Sequence, residues 1–226
     1  MLFRGCDPYF GIDANDLQED LQGWGSDHPI LTWAVLNVTT SLIIEVGSWK
    51  GRSAINMAKV VRDNSLECEI LCIDTWLGSP EHWLASGSNN EWYESLKILN
   101  GRPDLYKTFL GNVILNNCRN IITPFPLTSD AAFHVLKALG VSSSLIYIDA
   151  GHDFATVARD IENYWQLLCH DGIMILDDYL TWPGVTKAVD NFASEREICV
   201  HGEPGKAIMC KSDKWSERLG TTIVYI

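Results

Sequence analysis

From Leu42 onward the chain alternates short, continuous apolar runs with longer stretches of helical period, and this alternation restricts the fold more than any other feature. Strands half-exposed in an antiparallel sheet would show a polar face at every second position. Uninterrupted apolar runs instead suit strands covered on both sides, as in a parallel sheet with helical crossovers. The runs are Leu42-Ile43-Ile44-Glu45-Val46, Glu69-Ile70-Leu71-Cys72-Ile73, a weaker Asn120-Ile121-Ile122-Thr123-Pro124, Ser144-Leu145-Ile146-Tyr147-Ile148 and Gly172-Ile173-Met174-Ile175-Leu176. Helices are expected over 53–61, over 129–139 with Ser129 as N-cap and Gly140 past the end, over 153–169, and from about 184 to 194. Runs at 197–200 and 206–210 suit an antiparallel pair closing one edge, and the tail 221–226 suits one more strand. The expectation is an α/β, doubly wound sheet, mostly parallel with one antiparallel edge strand. Residues 1–30 and a stretch near 77–103 stand outside the alternation and are expected to form cap or lid segments on a main domain spanning 31–226.

Composition narrows the function classes. A chain of 226 residues, 46% apolar and 20% charged, suits one sizeable folded domain. Its formal charge of −12 and pI near 4.8 disfavour a phosphate-tracking surface, so no nucleic-acid partner is expected. No stretch reaches the ~18 apolar residues that cross a bilayer, and Met1 to Asp7 carries no basic leader, so no membrane partner is expected. Seven cysteines without a C-x-x-C pair point to a reducing compartment, hence a cytoplasmic location. A homo-oligomer is compatible with all of this.

In doubly wound sheets ligands bind beyond the carboxyl ends of the strands. After the first run comes Glu45-Val46-Gly47-Ser48-Trp49-Lys50-Gly51-Arg52-Ser53, where Gly-x-x-x-Gly permits a tight turn bringing a ligand near backbone N–H groups. It is neither the dinucleotide fingerprint nor a Walker loop. Asp74 ends the second run, where a carboxylate can accept both ribose hydroxyls. Alone, the loop is equally well an ordinary strand-to-helix turn, and Asp74 equally well a helix N-cap. Together they imply a nucleoside ligand with no required phosphate. A second constellation is Asp149 after the fourth run with Asp177 and Asp178 after the fifth. Adjacent strands lie about 4.8 Å apart, so these carboxylates can converge on a hard cation. An isolated Asp-Asp pair is more often a turn or cap; Asp149 beside it favours the cation.

An acid ending the first strand, a Gly-x-x-x-Gly turn and an acid ending the second resemble class I S-adenosylmethionine-dependent methyltransferases, over roughly 42–211, and imply their Rossmann-like fold. The resemblance implies that Glu45 and Ser53 serve the methionine end, with Gly47, Ser48 and Gly51 also binding the cofactor, Asp74 the ribose, Thr75 the adenine face and the Ser129-Asp130 turn the adenine edge. Residues 145–152, Asp160, 172–179, 182–185 and 188–189 are similar to a narrower branch, the metal-dependent small-molecule O-methyltransferases that include the macrocin and novobiocin sugar enzymes. There Asp149, Asp177 and Asp178 match aspartates that bind Mg²⁺. Those sugar enzymes carry a base where this chain has Gly151. Catechol-type relatives place a basic residue one position later, where this chain has His152.

Two roles suit His152: general base, or a group orienting Asp149 or Asp177. Lys187, Tyr179 and Asp153 are also close in sequence. The other histidines show no metal-ligand spacing and are expected to be solvated or core residues. Trp76, Trp83, Trp92 and Tyr93 suit either an aromatic wall for the acceptor or plain core. The expected activity is methyl transfer from S-adenosylmethionine to a hydroxyl of a small molecule (sugar, phenol or other secondary metabolite) held by Mg²⁺ or a similar cation. The rivals are a nicotinamide-dependent oxidoreductase and a non-catalytic nucleoside-cofactor binder.

Overall fold

The computed structural model describes residues 3–87, 90–215 and 218–219. Its main sheet contains β1 (Leu42–Val46), β2 (Glu69–Ile73), β3 (Ile122–Phe125), β4 (Ser143–Ile148), β5 (Leu168–Asp177), β6 (Val200–Glu203) and β7 (Lys206–Cys210). The helices are α1 (Pro29–Asn37), α2 (Arg52–Asp63), α3 (Pro80–Leu84), α4 (Asn90–Glu94), α5 (Leu105–Leu115), α6 (Ser129–Ala138), α7 (Phe154–Leu167) and α8 (Pro183–Arg196). Strand order is β3-β2-β1-β4-β5-β7-β6, parallel from β3 to β5. β7 is the reversed strand, placing Lys206 opposite Asp177, and β6 pairs antiparallel with it at the edge.

Side chains of the central strands alternate between two buried layers, as a period of two requires. Ile43, Ile70, Cys72, Leu145 and Tyr147 face α1, α2 and α5. Ile44, Leu71, Ile73, Ile146 and Met174 face α6, α7 and α8. Both faces are covered, which is why the runs read as continuously apolar.

Several boundaries differ from expectation. The third strand starts at Ile122, because Ile121 N–H closes a turn onto the Cys118 carbonyl. Pro124 is tolerated there because β3 is an edge strand. Thr128, not Ser129, caps α6: its hydroxyl accepts Ala131 N–H. Cys169 belongs to β5 rather than to the preceding helix, since Leu168 is already extended. β6 begins at Val200, because Glu197 ends α8 with φ 54°. The apolar α5 is unanticipated, and the stretch before it carries α3, α4 and a small hairpin pairing Ile98–Leu99 with Arg102–Pro103. The anticipated strand at 221–226 lies outside the described residues. All seven cysteines are free thiols. Among the described residues no helix is long and apolar enough to cross a membrane.

Candidate active site

Chain order reverses between β1 and β4, and a cavity of ≈740 Å³ opens beyond the carboxyl ends of the strands there. Gly47, Ser48, Ser53, Asp74, Thr75, Ser129, Asp149, His152, Asp177 and Asp178 line it; Glu45, Gly51 and Asp130 do not. Glu45 is fully buried beneath the loop, its carboxylate accepting hydrogen bonds from the Ser48 and Ser53 hydroxyls at 2.6 Å each. Burial raises its pKa, outweighing the downward pull of these donors. Gly51 starts α2 with φ 86°, and a Cβ there would meet the Phe109 ring at 2.9 Å. Asp130 faces away, accepting a hydrogen bond from Asn163.

Asp74 clasps the loop. Its Oδ2 accepts the N–H groups of Ser48 and Trp49 at 2.9 Å each, and its Oδ1 accepts Trp76 N–H at 2.7 Å. Burial raises its pKa against the pull of these amides. At the β3 end, Ser129 donates to Asp160 Oδ1 at 2.6 Å. Asp160 Oδ2 is buried without a hydrogen-bond partner among the described residues, and burial raises this carboxyl to about 6.

The three aspartates at the β4 and β5 ends are not equivalent. Asp177 accepts three hydrogen bonds: Oδ1 takes the Lys206 ammonium and Asp178 N–H, and Oδ2 the Tyr147 hydroxyl. Asp149, His152 and Asp178 each offer a donor atom within 4.8 Å of the others. Burial, then the charges of Asp177 and Asp178, push the Asp149 carboxyl well above the usual range. His152 stacks on Trp182 at 4.3 Å between centroids, with Nε2 3.1 Å from Asp178 Oδ2. Its Nδ1 is buried, has no hydrogen-bond partner among the described residues, and lies 3.8 Å from Glu81. Burial lowers its pKa, but the carboxylates of Asp178, Glu81 and Asp177 outweigh burial and raise it.

The two readings open for the aromatic residues divide between them. Trp76 is core, 1% exposed, against Tyr106 and Phe109, and Trp83 pairs with Tyr93 away from the lining. Trp92 does line the cavity, joined by Trp24, Trp49 and His82; Trp49 and His82 stack at 4.2 Å. His28 and His82 are therefore lining residues rather than merely solvated or core ones. Lys206 and Gln22 to Ser26 also escaped sequence reading. Only the isolation of residues 1–30 from the strand pattern hinted at the latter.

A family described as "methyltransferase domain" matches residues 44–179. Among curated proteins none matches the chain. The fold is similar to that of the O-methyltransferase NovP (16% identity, covering 83% of this chain and 80% of that one, TM-score 0.59). It is also similar to an O-methyltransferase from Bacillus cereus in complex with SAH (14% identity, 88% and 86% covered, TM-score 0.57). A third similar structure is the calicheamicin methyltransferase CalS11 (18% identity, 82% and 77% covered, TM-score 0.57).

Proposed function

Because the chain belongs to the methyltransferase-domain family, we propose that it moves the methyl group of S-adenosylmethionine onto a hydroxyl oxygen of a small-molecule acceptor. One observation carries this reading: a single cavity runs from Asp74, Thr75 and Ser129 on one side of β1 to Asp149, His152 and Asp178 on the other. The first group suits a nucleoside, and the second a hydroxyl that must lose a proton. The similarity to named O-methyltransferases supports oxygen as the acceptor atom.

When bound, S-adenosylmethionine supplies an electrophilic methyl group on a sulfonium. Asp74 is assigned the ribose hydroxyls, Thr75 and Ser129 the adenine, and the Gly47 to Ser53 turn the methionine end. Glu45 and Gly51 act from beneath that turn; Asp130, turned toward Asn163, is assigned no cofactor contact. A divalent cation fits the Asp149–Asp178 corner, where donor atoms of Asp149, His152 and Asp178 lie within 4.8 Å of one another and burial with the neighbouring carboxylates penalises the Asp149 charge; when bound it would supply Lewis acidity toward the acceptor hydroxyl. His152, whose ring lines the cavity with Nε2 3.1 Å from Asp178, is assigned the hydroxyl proton. Residues 1–30 and 77–103 serve as the cap, contributing Trp24, His82 and Trp92 around the acceptor.

S-adenosylhomocysteine is expected to raise the melting temperature while NAD does not, because the loop has no pyrophosphate-binding pattern. Equal stabilisation by NAD would overturn the assignment. In a mass-shift screen of hydroxylated compounds, the expected product gains one methylene mass. His152→Ala should slow turnover by ~10²–10⁴ with S-adenosylhomocysteine affinity retained.

A further inference from the structure

We infer that Lys206 is a built-in counter-ion that withdraws Asp177 from the cation site, leaving Asp149 and Asp178 as the carboxylates available to a divalent ion. The inference rests on the site reading above and departs from the three-aspartate set implied by resemblance. Lys206 lies directly opposite Asp177 in the antiparallel β5–β7 pairing, so the backbone register brings the two side chains together. Their side chains are 3% and 7% exposed. Gly25 roofs the pair from the N-terminal segment: a Cβ there would stand 3.0 Å from Lys206 Nζ.

Turning Oδ1 of Asp177 toward a cation would strand the buried Lys206 ammonium, and Oδ2 is already held by the Tyr147 hydroxyl. The donor atoms agree with this, since the convergent group is Asp149, His152 and Asp178 and omits Asp177.

The test is Mn²⁺ titration followed by electron paramagnetic resonance, with the S-adenosylhomocysteine melting shift reporting folding. Lys206→Met/Asp177→Asn removes the pair as a neutral unit and should keep Mn²⁺ affinity within about threefold of wild type, whereas Asp178→Asn should lose about tenfold or more. Lys206→Met alone frees Asp177 and should tighten binding about tenfold. A double variant that weakens as much as Asp178→Asn makes Asp177 a ligand and overturns the inference, as does a folded Lys206→Met with unchanged affinity. If wild type binds no Mn²⁺, the Lys206→Met protein decides: a gained site supports the inference, and none refutes it. If Lys206→Met fails to fold, the double variant decides, read against wild type; absence of Mn²⁺ binding in both refutes the inference. Absence of the melting shift in wild type would instead remove the methyltransferase reading.

Discussion

Asp74 and Asp160 show how position in the chain and role in the fold separate. Asp74 was legible as a strand-end acid, yet its carboxylate spends three hydrogen bonds holding the loop amides of Ser48, Trp49 and Trp76. Asp74→Ala leaves those donors unpaired, so calorimetry should find S-adenosylhomocysteine binding weaker by ~1–3 kcal/mol, with a lower melting temperature. Asp160 has a pKa raised from 3.8 to about 6, because burial disfavours its charge. Between those values the unfolded chain has released a proton that the folded one keeps, so stability falls as pH rises through that window and stays lower above it. Asp160→Asn is neutral throughout and can still accept the Ser129 hydroxyl. Urea unfolding at pH 4 and pH 7 should show the variant losing less stability between the two, by roughly 2 kcal/mol.

At the scale of elements, the β1–β4 junction depends on one glycine. Gly47 has φ 85°, and a Cβ there would fall 1.8 Å from the Asp149 carbonyl oxygen. Gly47→Ala must push the two strand ends apart as well as strain the backbone, and it is expected to cost more than about 4 kcal/mol and to abolish cofactor binding. Equilibrium denaturation and the S-adenosylhomocysteine melting shift check both effects. The strands were legible because burial on both faces leaves continuous apolar runs. Element ends were less so: Thr128 and Ser129 are both good caps, and only the hydrogen bond to Ala131 N–H distinguishes them. α5 is apolar on most sides, with Leu105, Phe109, Leu110 and Val113 all buried, so it carries little of the polar contrast by which helical period is read.

For the whole molecule, the question is how the N-terminal segment is held against the sheet. Lys50, 2% exposed, donates to Asp20 and Gln22 at 2.8 Å each, and Asn112 accepts Asp20 N–H while donating to the Asp20 and Lys50 carbonyls. Burial would raise the Asp20 pKa, but Lys50 and Lys97 outweigh it and lower it from 3.8 to about 2. This contribution is nearly complete above pH 4 and is lost as pH falls toward 2; with solvent screening of a partly exposed pair, Asp20→Asn should cost roughly 1 kcal/mol at pH 7 and little at pH 2 in chemical denaturation. By itself the sequence determined the crossover pattern, the glycine turn and the acids at the strand ends, because period and covalent order encode these locally. Only the tertiary structure decided that Lys206 lands on Asp177, that Trp24, His82 and Trp92 gather round the cavity while Trp76 turns into the core, and that Glu45 faces beneath the loop. Each of those outcomes depends on which distant segments share a sheet edge or a cap, and no local period encodes such a meeting.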